Sequence, residues 1–431
     1  MKKLIIVAAS VVLAGAVLAS DIGNGWEYHG YGRGGTEVNS DFAVPNFNGP
    51  DNSLSANGNQ GVQTGRLGNT TSNYVEVELV KDFQAQNGVW SKWHVLGAAS
   101  TTGINSWNNT NGGTFYLREA YAEMGGFSWN PSATIWAGQR YYDRNNIWIT
   151  DYYVTDYTGT GAGIQGLMNG NLNVAWIATN DGNNGNPYYA GTNQNQNAAS
   201  GSAGVTLTGT TNTIVTDYQL GQWGLQGAVK YNNYAQQATC TGNANAASAI
   251  WGGQVGVTYN QPTWYGLTNG WAQTIVQYGQ GLSGSTWNMT YGGAHGSVGS
   301  SPTDRTYNLT TTGVASVGQW QIQNVVGLLR NTTQYNNSTT NTNIVLSPMY
   351  SFNQNFAMMF DMGYAYNWAN TGVNGGVAQF TIAPTFTLSS DFFARPQIRP
   401  FVAYLIGNSN QISLNGNNHA FLFGAQAEVW F

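Results

Sequence analysis

Between Tyr74 and Val80 apolar and charged residues take turns. Val75, Val77 and Leu79 share one side of an extended chain, and Glu76 and Glu78 share the other. Successive side chains of a β-strand point to opposite faces, so this period of two predicts a strand with one apolar and one charged face. The same rhythm returns from Leu172 to Ala178, with Leu172, Val174 and Trp176 on one side. From Trp223 to Tyr231 it sets Trp223, Leu225, Val229 and Tyr231 with Gly227, against Gly224, Gln226, Ala228 and Lys230. The final run places Phe421, Phe423, Ala425, Ala427, Val429 and Phe431 together and ends on the last residue of the chain. Runs of this length cross a bilayer when a strand is tilted. Soluble sandwiches alternate as well, so the pattern selects an all-β protein without choosing its solvent.

Between the predicted strands lie stretches with no periodicity, notably residues 34–65, 181–204 and 279–305, rich in Gly, Asn, Ser and Gln. Long loops at one end and short turns at the other suit a membrane barrel. Dividing the chain at about 23 residues per strand and connection gives roughly 16 to 18 strands. No linker or break in composition divides the chain, which predicts one domain over residues 20–431. The N-terminus reads differently. Lys2 and Lys3 precede an apolar run from Leu4 to Leu18, and Val17, Leu18 and Ala19 offer small residues for cleavage. Residues 1–19 are therefore expected to be an export signal.

Composition sharpens the choice of solvent. Only 8% of the residues are charged, whereas 13% are aromatic. Outer-membrane barrels alternate apolar-out and polar-in, with aromatic girdles at both interfaces. The formal net charge of −5 argues against nucleic acid as a partner. Cys240 is the single cysteine, so no internal disulfide forms. The four histidines, His29, His94, His295 and His419, are scattered, and no spacing suggests a metal or other cofactor.

Against this low background the segment from Thr134 to Ile164 stands apart. It holds seven tyrosines and tryptophans together with Arg140, Arg144, Asp143, Asp151 and Asp156, and it ends Gly-rich. Thr134 to Tyr142 alternates well enough to be a strand, and 143–161 is expected to fold inward as a loop. A glycoside hydrolase would use two of the three aspartates as acid and base. Such an enzyme needs one carboxylate in an apolar setting; these lie in a Gly/Asn/Tyr segment, and a non-enzymatic channel is the better reading.

Specific words resemble the maltoporin-like carbohydrate porins. They are His29-Gly30-Tyr31-Gly32-Arg33, Arg66-Leu67-Gly68-Asn69 followed by Tyr74 and Glu76, Arg118-Glu119-Ala120, Thr134-Ile135-Trp136-Ala137-Gly138 with Arg140-Tyr141-Tyr142, and Asp151-Tyr152-Tyr153 before Gly161-Ala162-Gly163. Late in the chain Ala394-Arg395-Pro396 with Ile398-Arg399, and Phe423-Gly424-Ala425-Gln426 with Glu428 and Trp430, are similar to the same family. The terminal Phe431 also resembles the assembly signal of outer-membrane proteins.

The resemblance implies an 18-stranded, homotrimeric transmembrane antiparallel barrel in the outer membrane, contacting its lipid, with the third loop folded inward and no cofactor. It implies an aromatic slide for sugars and oligosaccharides at Tyr31, Tyr74, Trp107, Phe393 and Trp430, with Phe393 standing where the family usually has Trp. It implies a constriction at Tyr153 and a polar track of Arg33, Arg66, Glu76, Arg118, Arg144 and Asp151. Asn146 departs from the family pattern, which carries an acid there, and the two cysteines of the family's first loop are absent.

The physics agrees with that division of labour. Tyr31 and Arg33, like Tyr74 and Glu76, are two apart and share a strand face. A sugar offers C–H faces to a ring and rim hydroxyls to charges. Simple alternation puts Glu119 on the face opposite Arg118, where lipid would penalise it.

Overall fold

A computed structural model describes residues 20–23, 25–42, 64–68, 73–101, 114–180, 210–232, 249–284, 292–293, 301–333, 337–370, 374–407 and 418–431. Residues 1–19, Trp107 and Cys240 lie outside these. Eighteen antiparallel strands form one closed barrel, the first Trp26–Asn39 and the last His419–Trp430. Closure runs along these two strands, from Tyr31 opposite Trp430 to Asn39 opposite Leu422. Connections at one end are short, as between Leu220 and Trp223 or Val317 and Trp320. At the other end they are longer, as between Thr101 and Thr114 or Asn180 and Thr210.

The alternation read from the sequence gives the two barrel faces. Val75, Val77 and Leu79 are exposed outward, while Glu76 and Glu78 point in. In the last strand Phe421 and Phe423 are exposed and Leu422 is buried. Apolar side chains outside and polar ones inside are what a lipid-facing barrel requires.

One phase change departs from simple alternation. The strand Thr114–Phe127 carries a bulge where Leu96 pairs with Glu119 but Gly97 pairs with Leu117. The extra residue lets Arg118 and Glu119 both face inward, because a bulge sets two residues against one partner. Glu119 is buried there and accepts the Tyr141 backbone N–H at 2.7 Å. The bulge removes the expected lipid penalty.

The strand expected at Thr134–Tyr142 runs Asn130–Arg140, and the barrel resumes at Gly159–Gly166. The segment between them is therefore 141–158, shorter at its end than the expected 143–161. Gly161 and Gly163 look like loop residues but belong to the strand, opposite Gly138 and Trp136. A Cβ on Gly161 would come within 2.0 Å of the Trp176 carbonyl oxygen, and one on Gly163 within 2.6 Å of Trp136 Nε1. Glycine is required here for close packing.

Segment 141–158 pairs Asn145–Ile147 with Tyr152–Asp156 around the single 3-10 turn Trp148–Thr150. Its Ile147, Ile149, Tyr152 and Val154 are buried in one cluster with Ile275, Val325, Val345, Met349 and Met359 of the barrel's inward face. Burying one such aliphatic side chain contributes about 1.5–3 kcal/mol. The segment is thus anchored as core is anchored.

Candidate functional site

Tyr31 and Arg33 leave the first strand on its inward face, and the register sets Tyr31 opposite Glu76 and Arg33 opposite Tyr74. On the other side Tyr31 faces Trp430 and Arg33 faces Glu428. Strand closure therefore gathers a ring–charge lattice from residues about 400 positions apart. The Tyr31 and Tyr74 rings lie 6.1 Å apart at 50°.

Glu428 is the centre of the more deeply buried half. One carboxylate oxygen takes Arg66 Nη2 at 2.9 Å, the Tyr31 hydroxyl at 2.9 Å and Trp148 Nε1 at 3.2 Å. The other takes Arg395 Nε at 3.1 Å, Arg395 Nη2 at 2.9 Å and Arg399 Nη2 at 2.9 Å. Six donors saturate both oxygens, and charge-assisted bonds of this kind are strong ones. Trp148 underlies the node, with the Arg66, Arg395 and Arg399 guanidiniums 5.4, 4.8 and 5.3 Å from its ring centre. Arg395 also covers Trp430 at 3.9 Å.

Residues 64–68 bring Arg66 to this place. The Arg66 N–H donates to the Ile149 carbonyl at 2.8 Å, and the Leu67 N–H donates to Asp361 at 2.9 Å. The Leu67 carbonyl accepts from Gln379 Nε2 at 2.8 Å and Thr381 Oγ1 at 2.9 Å.

The second half is open to the lumen. Glu76 accepts the Tyr141 hydroxyl at 2.8 Å and a short bond from the Tyr74 hydroxyl. Arg144 lies between two rings, 3.9 Å from Tyr141 and 4.3 Å from Tyr153, with its Nε 3.5 Å from Asp156. Arg33 pairs with Asp151 at 2.9 Å and lies 5.9 Å from the Tyr74 ring centre. Burial pushes the Asp151 carboxyl up, but the Arg66 and Arg33 guanidiniums outweigh it and hold the group below its usual range. Asn146 donates Nδ2 to Asp151 at 3.3 Å. An acid at that position would repel the same carboxylate.

Each expected site residue has its place in this frame. Tyr74, Arg33, Glu76, Arg144, Asp151 and Tyr153 are half-buried and line the open half; Tyr31 is half-buried at the boundary with its hydroxyl on Glu428, and Arg66 is buried in the closed half. Arg118 faces inward over Tyr116, 4.5 Å from its ring centre. Trp430 and Phe393 are buried, and Phe393 packs on Phe392, which meets Trp148 edge-on at 5.7 Å.

Several members of the lattice carried no role in the sequence reading: Tyr141, Trp148, Trp271, Arg395, Arg399 and Glu428. Trp271 is half-buried against the segment's core cluster. Glu428 and Trp430 are two apart, so they share a face, and that spacing was the available signal.

Comparison with known proteins agrees with this architecture. A maltoporin of Vibrio cholerae serotype O1 is 27% identical over 468 residues, covering 100% of both chains. A maltoporin of Photobacterium profundum is 24% identical, covering 98% of this chain and 97% of that one. Maltoporin 1 of Klebsiella pneumoniae is 25% identical over 98% and 99%. The LamB porin model matches residues 26–431, the whole of the closed barrel. An 18-stranded barrel with an inward lattice of rings and charges, matched over that length, belongs to the LamB porin family and is an outer-membrane porin.

Proposed function

We propose that this porin is sugar-selective and passes maltose- and maltodextrin-type oligosaccharides by passive diffusion. The observation that carries the reading is the open half of the lattice. Tyr74, Tyr141 and Tyr153 present rings beside Glu76, Arg144 and the Arg33–Asp151 pair, so stacking surface and charged hydrogen-bonding groups alternate within one patch. That combination fits a pyranose, which buries its C–H faces on rings and leaves hydroxyls to be bonded at the rim. Weak sites in series allow a solute to enter and leave. The names of the curated relatives support the same substrate class.

In this proposal Tyr31, Tyr74 and Tyr153 are the rings a sugar meets, with Tyr153 at the narrowest point. Phe393 and Trp430 back the slide from beneath the arginines. Arg33, Glu76, Arg118, Arg144 and Asp151 form the track for hydroxyls, and Arg66 supports that track from beneath through the Glu428 node. Trp107 would reach a neighbouring subunit's entrance in a homotrimer, and residues 1–19 would direct export.

Single-channel recording in planar bilayers tests the reading. Maltodextrins of increasing length should block the ion current, with longer chains blocking more strongly, while amino acids of similar size should not. Failure of every oligosaccharide to block would leave a general diffusion porin in its place.

A further inference from the structure

Charge on the outer surface is distributed in a way that sugar passage does not explain. Every acidic side chain on the described barrel strands points inward, and among the described strands only Lys81, Arg305 and Arg330 carry charge outward. Lys81 lies at the short-turn end, over the rings of Trp26 and Phe83 at 5.3 and 5.8 Å. Arg305 and Arg330 lie at the long-loop end, on the adjacent strands Arg305–Val317 and Trp320–Thr332. Both are exposed, in phase with the outward Leu309, Val326 and Leu328.

Their register makes them a pair. Arg330 is opposite Tyr307 and Arg305 is opposite Thr332, so the two arginines are diagonal neighbours on one face. Such diagonals are about 7–8 Å apart, within reach of two long side chains converging on one group. Around them runs a band of rings and hydroxyls: Tyr278 lies opposite Tyr307, and Thr340 lies opposite Arg330. The Tyr278 and Tyr307 rings are 5.2 Å apart. Among the described residues no acidic side chain shares the outward face of these strands with the pair. The chain has no acidic residue between Asp217 and Asp304 or between Asp304 and Asp361. Asp304 itself is buried and accepts the Ser301 N–H at 3.0 Å.

We propose that Arg305 and Arg330 form a docking site for the phosphate of a phosphorylated lipid headgroup in the outer leaflet. An outward arginine is heavily penalised at the bilayer midplane and costs close to nothing at the interface. The pair sits at the end of its strands, in a band of tyrosines and hydroxyls, which is the position of a headgroup layer. Two guanidiniums supply paired donors that match phosphate oxygens, and Thr332 and Thr340 add hydroxyls beside them. The absence of a competing acid on this face makes an anion the complementary ligand. Lys81, at the opposite end, belongs to a different interface.

The test uses the purified full chain in detergent, titrated with diphosphoryl lipid A and separately with the same lipid stripped of phosphate, with retained lipid read by native mass spectrometry. The wild-type chain should retain the phosphorylated lipid in preference. The double variant R305Q/R330Q should lose about thirtyfold in retention, as expected for two headgroup contacts, while K81Q should match wild type. Equal retention of the two lipids, or a double variant equal to wild type, would overturn the proposal. So would complete displacement by inorganic phosphate at equal concentration, which would mark a site for the free ion. If the double variant does not fold, the single variants R305Q and R330Q should each lose about fivefold, and no loss in either would have the same overturning force. None of these outcomes depends on sugar block.

Discussion

The two halves of the inward lattice use the same residue types in opposite ways. Around Glu428, three guanidiniums, a phenol and an indole close on one carboxylate, and Arg395, Arg399 and Glu428 are out of contact with solvent. Around Glu76, two phenols share one carboxylate while Arg144 stands between rings at the lumen edge. The first arrangement has every acceptor position filled and nothing left for a solute. The second leaves ring faces and carboxylate lone pairs within reach of water. A buried charge cluster fixes geometry, and a half-exposed one exchanges partners. The closed patch holds the wall together, and the open patch beside it is the one the proposed sugar path uses.

The sharpest way to break this comparison is Glu428→Gln. Removing one partner of a buried ionic cluster costs about 3–5 kcal/mol. The variant should lose the heat-resistant folded form on denaturing gels or unfold at a clearly lower temperature, and an unchanged unfolding temperature would refute the structural role of the node. Tyr153→Ala should leave folding intact, raise ion conductance and weaken maltodextrin block about tenfold, within the range for loss of one stacked ring. Unchanged conductance would mean that segment 141–158 does not narrow the pore.

Glu76→Gln should weaken block about fivefold, as for loss of one hydrogen bond of about 1 kcal/mol, with conductance near wild type. The smallest effect is expected at Asp143, which accepts a short bond from Gln226 Nε2; the same nitrogen also donates to Asp217 at 2.9 Å. Burial, then the neighbouring Asp217 and Asp156 charges, push the Asp143 carboxyl well above its usual range. An acid raised in this way favours the folded state while protonated, and that contribution is lost as pH rises through the raised value. Asp143→Asn should therefore raise the unfolding temperature by about 1–2 °C at pH 7.5 and leave it unchanged at pH 4. Asn also tolerates the positive φ of 45° at this position. Equal effects at both pH values would show that charge is not the cause.

Much of the site was legible because strand periodicity is local. Tyr31 with Arg33, and Tyr74 with Glu76, share faces as their spacing demands, and the outer apolar stripe of the last strand is where alternation places it. Glu119 shows the limit of that reasoning. A single inserted residue at the bulge reverses the phase, and nothing in Arg118-Glu119-Ala120 announces it. Gly161 misled in the other direction, since it serves close packing within a strand. Tyr141 and Trp148 were part of a conspicuous aromatic segment, but their partners lie on the second strand and the last.

By itself the sequence determined the all-β class, the two opposite faces of the strands whose alternation is clear, and the pairing of rings with charges along single strands. These follow from the two-residue repeat of an extended chain, which needs no distant partner. Only the tertiary structure decided that Arg66 and Arg395 would share Glu428, and that Tyr141 would reach Glu76. Those contacts depend on the register at which the first and last strands close, and on how residues 64–68 and 141–158 pack inward. Both are set by long-range burial and hydrogen bonding, which leave no local pattern to read.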